Sequence, residues 1–206
     1  MAITRARLVR RLIRVTRSEA VAALAALAVI PSAHAGTVTG TVKVASASEA
    51  ERTLVYVERV PEGSFTAPGT SAKLSQRGSM FKPALLPVVK GTQVDMTNDD
   101  WVAHSVFSKS EAKSFDLGLY AQDARKVVTF DKLGVVQVFC SIHPRMNAVV
   151  LVLQNPFFTT PTRDGAFVLS GVPAGTYQLK LFRHGTAGEA RSITVPASGS
   201  AEAHFQ

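Results

Sequence analysis

One cysteine, one tryptophan and four methionines in 206 residues leave this chain few of the usual means of cross-linking itself or gathering metal ions. A lone Cys140 excludes an internal disulfide, whereas exported domains of this size that rely on disulfides carry cysteines in even numbers. The methionine- or histidine-rich tracts of metal-collecting proteins are missing. No serine sits in a nucleophile-elbow context, so hydrolase chemistry has no support. No apolar run approaches the roughly 20 residues that a membrane-spanning helix needs.

The N-terminus carries a recognisable order of features. Arg5, Arg7, Arg10, Arg11, Arg14 and Arg17 precede an alanine-rich apolar run over residues 20–30, followed by Ala33-His34-Ala35. Basic, apolar and small-x-small in that order predict a secretory signal over residues 1–35, cleaved after Ala35. Arg10-Arg11 leaves both the general and the twin-arginine export routes open. The mature protein is expected in the periplasm, starting near Gly36, with no membrane span. Removing the leader leaves 17 basic against 14 acidic residues, a formal net of +3, so the high overall charge belongs largely to the leader. With it goes the dense positive charge that nucleic-acid binding requires.

Most of the mature chain reads as short strands. Residues 37–44, 53–58, 93–97 and 126–130 alternate with period two, the mark of half-buried strands. Residues 135–139 and 148–153 are near-continuous apolar runs, as in strands buried on both faces. Residues 165–169 and 176–182 flank a turn-rich connector over 171–175. A short helix is expected only around residues 109–113. The fold class is therefore all-β, of the sandwich kind. Proline, glycine and threonine concentrate over 61–70 and 155–164, which marks two crossings between units.

The strongest chemical signal lies between the two apolar runs. Phe139-Cys140-Ser141-Ile142-His143-Pro144-Arg145-Met146 places a thiolate, an imidazole and a thioether in one loop at spacing C-x2-H-x2-M. Taken singly, Cys140 reads as a small buried hydrophobe and Met146 as a gap-filler; it is the ordered set that points to a metal. Soft sulfur plus imidazole suits copper, and two histidines, one thiolate and a weak axial methionine make an electron-transfer copper site. The loop then needs one more histidine, and His104 is the candidate within the central block. Zinc fits poorly, because thioether is a poor zinc ligand and there is only one thiolate. His184 and His204 read as solvated surface residues.

With these residues in view, the central block resembles the cupredoxins, the small type I blue copper proteins. Met80-Phe81-x-Pro83, Val89-Lys90-Gly91-Thr92-Gln93-Val94, Asn98-Asp99, His104 and the cysteine loop follow the order found there, over residues 70–153. The tight loop spacing is most similar to amicyanin, and the whole chain resembles periplasmic cupredoxin-containing proteins labelled for methylamine utilisation. The resemblance implies His104, Cys140 and His143 as equatorial copper ligands and Met146 as the axial one. It also implies a surface edge at His143 through which electrons pass, with Pro83, Leu85, Leu86 and Pro144 as an apolar docking patch. Many members place asparagine after the first histidine to brace the loop; here that residue is Ser105.

The tail resembles a different module. Thr162-Arg163-Asp164-Gly165-Ala166-Phe167 and Gly171-Val172-Pro173-Ala174-Gly175-Thr176-Tyr177 are similar to the second half of a carboxypeptidase-regulatory-like, transthyretin-type β-sandwich, and residues 36–42 and 54–57 to its first half. Residues 36–64 with 156–206 are therefore expected to form one split sandwich with the copper unit inserted. The alternative is a cupredoxin over 36–153 followed by a separate module over 156–206.

Together these readings predict an exported, non-enzymatic one-electron carrier holding one copper ion. Its expected partner is a transient redox protein, a cytochrome c-type protein or a periplasmic oxidoreductase. The rival readings are non-redox copper storage, delivery or sensing, and a carbohydrate-binding or adhesion module with a supporting copper unit.

Overall fold

The computed structural model describes residues 35–61, 63–183 and 185–206. The expected signal segment up to residue 34 and His184 lie outside the described residues. Within them the chain forms sixteen strands and one four-residue helix, an all-β protein. In chain order these are β1 (Ala35–Val42), α1 (Ala47–Ala50), β2 (Leu54–Val57), β3 (Ala72–Gln76), β4 (Phe81–Lys82), β5 (Leu85–Val89), β6 (Thr92–Asn98), β7 (His104–Ser110), β8 (Lys113–Tyr120) and β9 (Arg125–Phe130). There follow β10 (Gly134–Phe139), β11 (Asn147–Leu153), β12 (Phe158–Thr159), β13 (Ala166–Pro173), β14 (Gly175–Arg183), β15 (Thr186–Val195) and β16 (Ser200–Phe205). No helix among the described residues is long and apolar enough to cross a membrane.

Strands β3 to β11 make two sheets, ordered β4-β3-β6-β9 and β5-β11-β10-β7-β8. Most pairs are antiparallel, but β3 runs parallel to β6 and β5 parallel to β11. The inward residues of both sheets, among them Leu74, Met96, Phe130, Val136, Val138 and Val150, form one core that also contains Cys140 and Met146. A sulfur-bearing loop thus closes one end of a packed sandwich, where side chains have little freedom to shift.

The remaining strands form two further sheets, ordered β13-β1-β16 and β12-β2-β14-β15, around a core that includes Val38, Val55, Phe167, Leu179 and Phe205. Strand β1 pairs antiparallel with β13 and parallel with β16. Gly40 permits that crowding: a Cβ there would lie 1.7 Å from the Ala203 carbonyl oxygen, an approach only glycine allows.

A third apolar cluster joins the two sandwiches. Leu54 and Tyr56 on β2 and Phe182 on β14 meet Leu85, Leu151 and Leu153 on β5 and β11. This accounts for the near-continuous apolar run of β11, which turns Ala148, Val150 and Val152 into its own core and Leu151 and Leu153 into the junction. It also corrects one expectation. Leu85, read as part of an exposed docking patch, is 5% exposed because the second sandwich covers it, and Leu86 is partly buried. Pro83 and Pro144 are exposed.

Two local expectations differ as well. The helix expected around 109–113 is the β7–β8 hairpin, in which Ser110 opposes Lys113. The helix that does form lies at α1, where Ser46 accepts from the Glu49 N–H at 3.1 Å and the Glu49 carboxylate accepts from the Ala45 N–H at 2.7 Å, a variant of the capping box in which the carboxylate reaches one residue further back. The connector over 171–175 shrinks to Ala174, since β13 runs to Pro173 and β14 begins at Gly175.

Candidate metal centre

His104 opens β7 at the end of a loop that Asn98 organises. Fully buried, Asn98 donates through Nδ2 to the carbonyls of Val102 at 2.8 Å and Tyr120 at 3.1 Å, while its Oδ1 accepts from the Asp100 N–H at 3.0 Å. That last bond folds the chain back so that the Asp100 carboxylate faces inward. There it accepts from the Ser79 N–H at 2.8 Å, the Trp101 N–H at 3.1 Å and His104 Nε2 at 3.0 Å. Asp100 is 5% exposed and His104 not at all. The Ser79 N–H, and after it His104, hold the Asp100 carboxyl below the ordinary aspartate range. An ionised carboxylate only accepts, so the imidazole proton resides on Nε2 and the Nδ1 lone pair is left for the site.

The loop over 140–146 is closed by its own backbone. Cys140 N–H donates to the Met146 carbonyl at 3.2 Å and Met146 N–H to the His143 carbonyl at 2.9 Å. Ser105 ties this loop to β7: its hydroxyl oxygen accepts from the Ser141 N–H at 2.8 Å, lies 2.7 Å from the Ser141 hydroxyl and 3.8 Å from Cys140 Sγ. The serine that stands where many cupredoxins have asparagine therefore bridges the two ligand-bearing segments itself.

Three of the four expected residues converge. The Nδ1 atoms of His104 and His143 are 3.0 Å apart, and Cys140 Sγ lies 3.9 Å from the first and 3.8 Å from the second. Among the described residues these three form a cluster able to hold one metal ion. Bonds of about 2.0 Å to imidazole nitrogen and about 2.3 Å to thiolate sulfur, arranged trigonally about one ion, separate nitrogen from sulfur by about 3.7 Å. The sulfur separations match a single ion, and the two imidazoles need only part by about half an ångström to admit it, since trigonal bonds of that length set their nitrogens about 3.5 Å apart. Met146 is buried in the same core as Cys140 and shares its loop. Two imidazoles and one thiolate beside a buried thioether suit copper rather than zinc. His204 is elsewhere, exposed on β16 with Nδ1 2.9 Å from the Thr41 hydroxyl.

Burial alone would raise the Cys140 thiol pKa. The backbone N–H groups of Ser105 and Ile142, followed by the rings of His104 and His143, reverse this and bring it down to about 6. The thiol is thus a thiolate at neutral pH, the form that binds metal. For the metal-free mature chain we expect the ultraviolet thiolate absorbance to titrate with a midpoint near 6, against about 8.5 for an ordinary thiol. Because the folded value is the lower one, the stabilisation is complete above the ordinary thiol range and disappears as pH falls through the folded midpoint. A midpoint near the ordinary value, or a urea midpoint insensitive to pH across that window, would contradict this account of the site.

Asp100 was not singled out by sequence. The signal was present in the four-residue spacing from Asp100 to His104, but its meaning depends on the turn that Asn98 makes. Trp101, the next residue, is 83% exposed, and Met80 and Ile142 are about half exposed.

No protein-family model matches the sequence, and no curated protein matches it either. Among solved structures, a purple cupredoxin from Nitrosopumilus maritimus is 26% identical, over 40% of this chain and 99% of that one, with a TM-score of 0.37. The Cu(I) form of an amicyanin variant is 20% identical over 42% of this chain and 85% of that one, with a TM-score of 0.38. A copper-containing nitrite reductase from Thermus scotoductus is 20% identical over 56% of this chain but only 28% of its own length, with a TM-score of 0.41.

Proposed function

We propose that this chain, whose central unit has the cupredoxin fold and a histidine–cysteine–histidine cluster suited to copper, is an exported one-electron carrier with His104, Cys140 and His143 as equatorial ligands and Met146 as the axial one. The observation that carries the reading is the cluster itself: a depressed-pKa thiolate and two Nδ1 atoms 3.0–3.9 Å from one another, with His104 held by Asp100 and the cysteine loop held by Ser105. A copper ion bound there would supply a one-electron couple. The residues supply rigidity. Asp100 fixes the tautomer and tilt of His104, Ser105 fixes the backbone at Ser141 beside Cys140, and a core of branched apolar side chains keeps water from the sulfur. A site so held changes little between oxidation states, which favours fast transfer over substrate binding.

His143 is the partly exposed member of the cluster, with Ile142, Pro144 and Arg145 exposed around it. With Nδ1 turned inward, the opposite edge of its ring is the natural route for electrons, and the expected partner is a soluble cytochrome c-type protein or a periplasmic oxidoreductase. Contacts of this kind are small and brief. We also infer that residues 36–64 and 156–206 are one module into which the copper unit is inserted; pairing of β1 with β13 and β16, and of β2 with β12 and β14, supports this.

Loading the mature chain with copper(II) tests the proposal. One ion per chain, an intense visible thiolate-to-copper band and a reversible one-electron couple are expected; a pale complex would overturn the reading. Substituting Met146→Leu should preserve the colour and raise the reduction potential, since a weak axial thioether stabilises the oxidised ion. An unchanged potential, measured by voltammetry, would remove Met146 from the ligand set.

A further inference from the structure

We infer that the groove running past the metal loop between the two sandwiches is the docking site for an acidic chain segment of the redox partner, an inference that rests on the electron-carrier reading. Two cavities, of about 650 and 590 Å³, share Arg52, Ala84, Leu85 and Asn147 and so form one continuous groove. One wall is the stretch around α1 in the second sandwich. The other comprises the start of β5 and residues 145–147, the end of the loop that carries the site. Met146 itself lines the groove.

Its lining is net positive, with Arg183 and Glu49 paired in the far cavity. Arg52, Lys82 and Arg145 all line it and all are exposed. Among the described residues none of the three is in an ion pair, and Glu51 is the one carboxylate lining that part of the groove. Elsewhere on the central unit Lys73, Lys113, Arg125 and Lys132 each pair with a carboxylate, while among the described residues Arg77, Lys90, Lys109 and Lys126 do not, so what sets the groove apart is that three cations share one concave lining. Three cations gathered without partners repel one another, and an arriving set of carboxylates relieves that repulsion while steering the encounter. The dimensions decide what arrives: each cavity is many times the roughly 30 Å³ that one water occupies in the liquid, far more than a lone inorganic anion fills. An extended acidic segment matches both volume and charge. Seated there, it lies along the loop that presents His143, which sets the partner's redox centre against that edge.

The probe is a hexaglutamate peptide titrated into the mature chain, with and without copper(I), followed by amide chemical shifts at low salt. Shifts confined to the lining of the groove are expected, strongest at residues 51–52, 82–85 and 145–147, where the three cations lie. Affinity should fall about tenfold in Arg52→Glu/Lys82→Glu, and in the unaltered chain it should fall as salt is added, a reading that needs no variant. Shifts elsewhere, indifference to salt, or the same shifts from inorganic phosphate at equal concentration would overturn the inference, the last by making the groove a small-anion site. A chain that takes up copper as a blue one-electron centre yet ignores the peptide loses the groove and keeps the carrier reading. A chain that binds the peptide here but forms no such centre loses the carrier reading, and with it a redox partner for the groove.

Discussion

Cys140→Ser is expected to abolish the intense visible band of the copper(II) form outright while leaving the fold in place. The band requires a thiolate donating into the ion. A serine hydroxyl does not ionise in the accessible pH range, even with the N–H donors of Ser105 and Ile142 and the two imidazoles that bring the thiol down to about 6. Those same donors explain why the fold should survive. They find an acceptor oxygen where they had a sulfur, so the buried hydroxyl is not orphaned, and at neutral pH the cost is ~2 kcal/mol, that of donors losing a charged acceptor. For a chain of this size that shifts the melting temperature by about 4–8 °C. Absorption spectra and a thermal melt on one sample separate the two effects. A coloured Cys140→Ser protein would place the chromophore elsewhere, and a variant that fails to fold would show that the thiolate bears structural weight the geometry does not indicate.

The legibility of this site in the sequence follows from locality. Cys140, His143 and Met146 lie within seven residues between two apolar runs, so spacing alone puts them in one loop, and the runs read as buried strands because β11 is covered on both faces. His104 lies 36 residues away and needed the order of the surrounding motif to be placed. What spacing could not convey is anything decided by a second segment. Leu85 looked available for docking, and it is buried only because β2 and β14 cover β5 and β11. Ser105 looked like a weakened brace, yet its short side chain reaches the Ser141 N–H because β7 and β10 bring the two backbones close, with Phe107 opposite Phe139. The segment around 109–113 was expected to be a short helix, and the pairing of β7 with β8 makes it a hairpin turn instead. The opposite error occurred at α1, where Ser46 and Glu49 spelled out a helix start in four residues and the segment's brevity hid it.

Asp100→Asn should weaken copper(II) binding about 10–100-fold, the usual cost of losing the group that orients a ligating histidine. The argument is one of donors and acceptors. One carboxylate oxygen accepts from both the Ser79 N–H and His104 Nε2, and the other from the Trp101 N–H. An amide has a single acceptor oxygen, so whichever way Asn is turned, an NH2 group meets a neighbour built to donate. If that group faces His104, Nε2 must become the acceptor and the proton moves to Nδ1, aimed at Cys140 and His143 instead of leaving a lone pair for the ion. If it faces the Trp101 N–H, two donors oppose each other in a buried loop and the residues between Asn98 and His104 must shift. Either way the negative charge that raises the donor strength of His104 is lost, so the reduction potential should rise along with the weaker binding of the oxidised ion. Competition against a chelator measures the affinity and voltammetry the potential. Affinity within about twofold of the parent chain would mean that Asp100 serves the loop alone, since losing a group that orients a ligating histidine costs far more. Asp100→Glu supplies the contrast: it keeps the charge and both acceptors while displacing them by one methylene, so it should recover the potential more fully than the affinity.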